Sequence, residues 1–355
     1  MGPCDDARPA RPRLSRRRFG RFLLGAGALA WSGAQVRGAV AVNPRTCLYH
    51  GEALGRYGFP HGHPLGVDRQ GAFMQELVRQ GLDARVASMA PRVASREQIE
   101  RFHTKAHVDR VMSAESEGLD YLDNGDTPVF PGVYEAAATV VGSALDGLQH
   151  VMRGECLHTF QPIGGLHHAR RDRSAGFCVF NDLGVVIETL RSEYGIRRIA
   201  YVDIDVHHGD GVFYAYEDDP DLIFADIHED YRSLYPGTGR PDETGTGAAR
   251  GTKLNINLPS GAGDKEFLAA WPDVVAHLRR FKPQFVLFQS GADGLDGDPL
   301  ARLRYSPQVH AHVARSLVHL AREYSAGRLM AFGGGGYDRT NLARAWCEVV
   351  RELSG

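Results

Sequence analysis

The sequence predicts an α/β protein, a single domain built on a parallel sheet with helices over both faces. Three observations carry that prediction. From about residue 43 onward, short apolar runs alternate with longer amphipathic segments. The runs are rich in Val, Ile, Leu and Phe, as strands buried on both faces are. The polar clusters follow the ends of those runs, and ligands bind at the carboxyl ends of strands in such sheets.

Taken in order, strands are expected at 45–50 (RTCLYH), 157–162, 196–203, 221–228 (DLIFADIH), 253–258 (KLNINL), 284–290 (QFVLFQS) and 328–332. The interleaved amphipathic segments predict helices at 68–81, 97–116, 131–153, 178–194, 265–281, 307–324 and 340–353. Ser306–Pro307 marks one helix start well, with a capping side chain and then proline at the first helical position. No internal repeat, low-complexity linker or composition break follows residue 43, so 43–355 reads as one domain.

Composition narrows the function classes. With 43% apolar and 24% charged residues, the 355-residue chain has material for a full core. A net charge of −2 and a pI near 6.8 argue against nucleic-acid binding, which calls for a basic excess. Eight Arg and two Asp lie within residues 1–41, leaving 33 basic and 41 acidic residues, a net of −8, on the rest. That basic leader reads SRRRFGRFLLGAGALAWSGAQVRGAVA from Ser15 to Ala41. Paired Arg16–Arg17 precede an apolar stretch, Phe22 to Ala34, and Ala39 and Ala41 are spaced as at an A-x-A cleavage site. The stretch is shorter than the roughly 20 residues a membrane span needs. Residues 1–41 are therefore expected to be a signal peptide of twin-arginine type, with a periplasmic or otherwise exported mature protein that carries no stable membrane anchor. Five widely spaced cysteines, with no CxxC, suggest neither a thiolate metal site nor a disulfide framework.

YVDIDVHHGD, residues 201–210, ends an apolar run with three acids and two histidines. With side chains alternating along a strand, Asp203, Asp205 and His207 share one side and Ile204, Val206 and His208 the other. A D-x-H pair on one side suits a divalent metal, and Asp293 in SGADGLDGD is the leading third ligand, with a position left open for water or substrate. An isolated D-x-H is ordinarily a surface turn, but a second cluster stands against that here. His167–His168 in IGGLHHA could act as general base and proton shuttle if carboxylates orient the rings, a task Asp203 and Asp210 remain free to perform. Tyr337 follows Gly333–Gly336, a tight loop that must pass close to something. A phenol there could serve a developing oxyanion, whereas a mobile loop or a phosphate cradle are the plainer readings. The glycine spacing matches no Walker or dinucleotide motif.

Together GGLHHARRDRSAGFCVFND, YVDIDVHHGDGV, SLYPGTG, SGADGLDGDP and FGGGGYD resemble, in that order, the signature segments of the zinc-dependent histone deacetylase family. The closer likeness is to bacterial acetoin-utilisation-type and acetylpolyamine-type amidohydrolases, and it spans about Tyr49 to the C-terminus. The resemblance implies the arginase-deacetylase fold with a central eight-stranded parallel sheet. It implies Zn2+ on Asp205, His207 and Asp293, pairs His167–Asp203 and His168–Asp210 with His168 as general base, and Tyr337 polarising the amide carbonyl. It implies Asp126 at the rim, Gly176, Phe177, Tyr235 and Leu300 along an acyl-lysine tunnel, and Arg69 in an internal cavity for released acetate. A structural K+ is also implied, but Asp226 stands where family members have a serine ligand, which puts that ligand set in doubt.

The activity so implied is hydrolysis of acylated amines, either acetyl-lysine-like compounds or peptides or acetylated polyamines, to acetate and free amine. Two carboxylates make a hard site that Fe2+ or Co2+ could also occupy. A non-catalytic acylated-amine binding protein and a dinuclear manganese ureohydrolase are the rival readings. The intact residue set argues against the first, and the shortage of further bridging carboxylates argues against the second. Expected partners are the small acylated substrate and the export machinery, with no nucleic acid, and an oligomer is compatible with the sequence.

Overall fold

The computed structural model describes residues 46–355. The expected signal peptide, residues 1–41, and its expected boundary with the following domain lie outside the described residues. Eight strands form one all-parallel sheet: β1 (Thr46–Tyr49), β2 (Ala87–Met89), β3 (His158–Gln161), β4 (Ile199–Asp203), β5 (Leu222–Glu229), β6 (Lys253–Leu258), β7 (Phe285–Gln289) and β8 (Leu329–Phe332). Their spatial order is β2-β1-β3-β8-β7-β4-β5-β6. The α-helices are α1 (Glu52–Gly55), α2 (Arg69–Arg79), α3 (Arg96–Ile99), α4 (Lys105–Ser113), α5 (Val133–Met152), α6 (Asp182–Tyr194), α7 (Asp210–Ala215), α8 (Asp264–Phe281), α9 (Pro307–Tyr324) and α10 (Arg339–Leu353).

Alternation along each strand divides the core in two. Tyr201, Phe224, Phe285, Leu287 and Phe332 point toward α5 and α6. Ala200, Val202, Ile223, Ala225, Val286 and Phe288 point toward α2, α8, α9 and α10. Register then decides where the chemistry sits. Asp203 of β4 pairs with Gln289 of β7 and with Asp226 of β5, so the last residues of β4 and β7 lie level with a carboxylate partway along β5. The far edge of the sheet is pinned differently. Lys253 of β6 is buried, and its ammonium donates to the carbonyls of Asp219 (2.8 Å) and Leu222 (2.7 Å) and to Thr252 Oγ1 (2.9 Å). Burial lowers its pKa to about 8.

The seven strands read from the apolar pattern are all present: β6 matches to the residue, β5 is shifted by one, and the other five are one to three residues shorter. The eighth, Ala87–Met89, is a three-residue edge strand with half-exposed side chains, too short to announce itself. The helix expected over 97–116 is two. Ser95 forms a capping box for α3 and Thr104 caps α4. Between them the backbone turns aside, His103 accepting from Asn181 N (2.9 Å) and Thr104 N donating to Arg171 O (2.8 Å). Likewise the helix expected from 178 starts at Asp182, because Asn181 accepts from Gly184 N at 2.8 Å as its cap. The short α1 and α7 lack an amphipathic period of their own. Among the described residues no helix is long and apolar enough to cross a membrane, and Cys47, Cys156, Cys178 and Cys347 are free and buried.

Candidate metal centre and active site

Strand β4 stops at Asp203, so the alternation expected through His208 runs on an irregular segment, not a strand. The sidedness survives because Ile204 and Val206 are anchored in the core against β7 and α8–α10. Asp205 and His207 are thereby turned the other way. His207 Nδ1 lies 3.0 Å from Asp205 Oδ1 and 3.2 Å from Asp293 Oδ2. One donor atom from each of the three lies within 4.8 Å of the others, in a buried group that could hold a metal ion.

The donor set fits a divalent cation on chemical grounds. Two carboxylates and one imidazole nitrogen converge away from water, where like charges are costly unless a cation sits among them. Burial and the Asp205 charge push Asp293 up to about 7, while His207, which burial alone would hold neutral, is lifted to about 10 by its two acidic neighbours. The remaining carboxylate valences are tied down. Asp205 Oδ2 accepts from Gln289 Nε2 (2.9 Å) and Gly335 N (2.8 Å), and Asp293 Oδ1 from Val206 N (3.0 Å). Such outer contacts fix how ligating oxygens point. Gly335 is required here, since a Cβ on it would collide with Asp293 Oδ2 and Asp205 Oδ2.

The tandem histidines sit on the loop after β3. Asp182, at the start of α6, accepts from Gly165 N (2.9 Å) and Leu166 N (2.8 Å) and so holds the loop in place. His167 Nδ1 is 2.8 Å from Asp203 Oδ2, and His168 Nδ1 is 2.7 Å from Asp210 Oδ1. Their Nε2 atoms face each other at 3.1 Å. The two carboxylates differ. Burial and the neighbouring Asp226 and Asp205 charges push Asp203 well above the carboxylate range, and Tyr201 donates to it. Asp210 is held down to about 2, against burial, by His168 and by Arg170, whose Nη2 is 2.8 Å away. Burial and the adjacent His167 lower His168 to about 4, so it is a neutral base near pH 7.

Tyr337 closes the site after β8. Its backbone N donates to Asp298 Oδ2 at 2.8 Å, and its ring meets Phe177 edge-on at 5.9 Å. A hollow of about 220 Å3 brings Asp126, Gly176, Phe177, Tyr235 and Leu300 together with Leu234, His168, His207 and Tyr337. Phe177 has a φ of +68°, a left-handed conformation that costs on the order of 1–3 kcal/mol in a side-chain-bearing residue. Tyr57 Oη donates to its carbonyl (2.7 Å) and Thr127 Oγ1 accepts from its N–H (3.1 Å), which fixes the wall. Arg69 does not line this hollow. It is buried behind the glycine loop, donating to Gly336 O (2.9 Å) and Gly334 O (2.6 Å). Asp226 is engaged on both oxygens, accepting from Gly209 N (2.9 Å) and lying 2.7 Å from His228 Nδ1. His208 packs on Phe213 and Phe224, with Nδ1 2.9 Å from Thr238 Oγ1.

A family model described as "Histone deacetylase domain" matches residues 63–353. The chain belongs to the histone deacetylase family. Among its relatives is the acetoin utilization protein AcuC of Bacillus subtilis, 38% identical over 75% of this chain and 71% of that protein. A probable deacetylase of Archaeoglobus fulgidus is 33% identical, covering 82% of this chain and 80% of the relative. Histone deacetylase 8 of Xenopus tropicalis is 31% identical over 81% and 79%. Among solved structures, the HDA15 HD domain superposes with a TM-score of 0.81 at 26% identity, covering 88% of this chain and 89% of that one. The family's eight-stranded parallel fold, expected from the motifs, is the fold observed. As a histone deacetylase family member with AcuC relatives, the protein is a deacetylase in the general sense.

Three residues that the sequence reading passed over help assemble the site. Gln289 bridges Asp205 and Gly165 O (3.2 Å), Asp182 anchors the histidine loop, and Asp298 anchors Tyr337. Each had a faint signal: a polar residue ending an apolar strand, an Asn-Asp pair opening a helix, and the last acid of GADGLDGDP.

Proposed function

We propose that the protein is a zinc-dependent amidohydrolase that releases acetate, or a comparable short acyl group, from the amine end of lysine-like or polyamine substrates outside the cytoplasm. The observation that carries this reading is the convergence of His168, His207 and Tyr337 on one narrow hollow beside the Asp205–His207–Asp293 group. Asp205, His207 and Asp293 would hold the ion. A bound divalent cation supplies Lewis-acid polarisation of the acyl carbonyl and acidifies a water toward a pKa of about 7.

The chain's own groups do the rest. His168, neutral and oriented by Asp210, accepts the water's proton and returns it to the departing amine. His167, backed by Asp203, is the neighbouring shuttle. The Tyr337 hydroxyl donates a hydrogen bond to the acyl oxygen as negative charge develops there. Gly176, Phe177, Tyr235 and Leu300 exclude water from the chain that carries the amide, and Asp126 holds the substrate at the rim. Burial and nearby acids push the Tyr337 phenol well above its ordinary pKa, so it stays a donor at neutral pH. Fe2+ or Co2+ would suit the same ligands. A structural K+ would draw chiefly on main-chain oxygens, since each Asp226 oxygen already has a hydrogen-bond partner in Gly209 N or His228 Nδ1.

Acetate release from acetyl-lysine and acetylpolyamine panels, measured on metal-defined protein before and after chelation, tests the reading. Turnover should appear only with metal, and Tyr337→Phe should lower kcat by about 10²–10³ while leaving the fold intact. Absence of turnover with every acylated amine would leave the non-catalytic binding reading, and two Mn2+ per chain would support the ureohydrolase one. For export, replacing Arg16–Arg17 by Lys–Lys should leave the protein in the cytoplasm. Unchanged periplasmic yield would end the twin-arginine assignment.

A further inference from the structure

A second hollow, of about 300 Å3, adjoins the tunnel mouth and shares Asp126 and Tyr235 with it. Arg110, from the last turn of α4, and Arg173, from the loop after the tandem histidines, both line it. Its acids are unequally available. Asp123 is consumed by its own turn, with Oδ1 accepting from the N–H groups of Gly125 (3.0 Å), Asp126 (2.8 Å) and Thr127 (2.8 Å), and Oδ2 from Thr127 Oγ1 (2.5 Å). Asp126 carries no such burden. Arg173 is held only by its chain neighbour Asp172, at 3.1 Å between side chains that are both more than half exposed. Such a pair is worth little and is readily given up for a better anion.

Resting on the deacetylase reading above, we propose that this hollow receives the charged head of the substrate and that Arg110 and Arg173 recognise a carboxylate there. The substrate class is then an Nε-acyl-lysine, or close diamino-acid homologue, with a free α-carboxylate. Asp126 takes the N–H or ammonium at the α-position, and the guanidinium groups take the carboxylate beside it. An acylated polyamine would instead set its remaining ammonium groups against two arginines, an arrangement that like-charge repulsion disfavours. A free acyl amino acid and an acyl-lysine at a peptide C-terminus share the required chemistry, and the substrate panel separates them.

The panel consists of Nε-acetyl-lysine, its α-amide, a short peptide ending in acetyl-lysine, monoacetylcadaverine and acetylspermidine, all assayed with zinc-loaded protein. The free-carboxylate compounds should exceed the α-amide in kcat/KM by about tenfold, with the difference in KM and not kcat. The ratio should shrink as salt is raised, since rim charges are screened. In the Arg110→Gln/Arg173→Gln variant the acid-to-amide ratio should fall to near one. Binding gives a readout that needs no turnover: zinc-loaded His168→Ala protein, titrated calorimetrically, should hold Nε-acetyl-lysine about tenfold more tightly than the α-amide. An α-amide equal to the acid, a preference for acetylspermidine, or an unchanged ratio in the double variant would overturn the proposal while leaving the deacetylase reading standing. No turnover of any compound would remove both.

Discussion

Replacing His168 by Ala is expected to lower kcat by about 10²–10⁴, the usual contribution of a positioned general base, with metal content and melting temperature close to those of the parent. The two histidines are not equivalent, which is why the effect should concentrate on His168. Its ring borders the tunnel together with His207 and Tyr337, whereas His167 lines only the small inner space beneath. Asp210 behind it is ionised and keeps its ion pair with Arg170 when the imidazole is removed, so the substitution strands no buried charge. Asp210→Asn should fall between parent and His168→Ala, because it leaves the base in place and weakens only its orientation. Measured kcat values with KM nearly unchanged would support these roles. A drop confined to KM, or a larger loss in His167→Ala than in His168→Ala, would reassign them.

Zinc loading should raise the melting temperature on the order of 5–10 °C, and chelation should reverse the gain. A ligand present at about 1,000 times its Kd adds about 4 kcal/mol to the folded state, and a chain of this size converts each kcal/mol to about 2 °C. The electrostatics predict a second, less intuitive outcome. In the metal-free protein Asp205 and Asp293 are buried like charges with His207 between them. Asp293→Asn should therefore leave the metal-free protein at least as stable as its parent while abolishing the zinc-induced gain. The pH dependence has a definite sign. Without metal, His207 titrates near 10 and Asp293 near 7, so binding at pH 7 must expel about one to two protons and affinity must fall as pH falls. Calorimetry in buffers of different ionisation enthalpy would count those protons. Zinc binding without proton release, or a destabilised metal-free Asp293→Asn, would contradict the picture.

Much of this was legible in the sequence, for a physical reason. Catalytic groups were confined to short loops at strand ends, so local order along the chain already grouped Asp205 with His207 and His167 with His168. Asp293 could be picked out as a third ligand because it follows an apolar run among small residues, but the pairing of His168 with Asp210 was readable only through motif resemblance, since nothing local links the two. What the sequence hid is what long-range packing makes. The break between α3 and α4 comes from contacts with residues some 70 positions away, and the Ala87–Met89 strand exists because β1 offers it an edge. The hollow holding Arg110 and Arg173 joins two surface segments that no periodicity connects. Arg69, expected at an internal cavity, has its guanidinium bound to two carbonyls of the glycine loop that precedes Tyr337, a contact only the folded chain reveals.

The strand order has a consequence in time. Among the described residues, β1–β3 and β4–β6 are two three-stranded groups with no strand pairing between them, and β8 and β7, the last two strands synthesised, bridge them within the sheet. Asp293 follows one of these strands and Tyr337 the other. Until the final seventy or so residues leave the ribosome, the chain therefore has neither a continuous sheet nor a third metal ligand; Asp293 comes with β7, and the sheet closes once β8 follows. A chain cut short before residue 284 should therefore keep the histidine–carboxylate pairs that tie the two groups together but lack both the strands that close the sheet and the third ligand, and should bind metal far more weakly than the full chain.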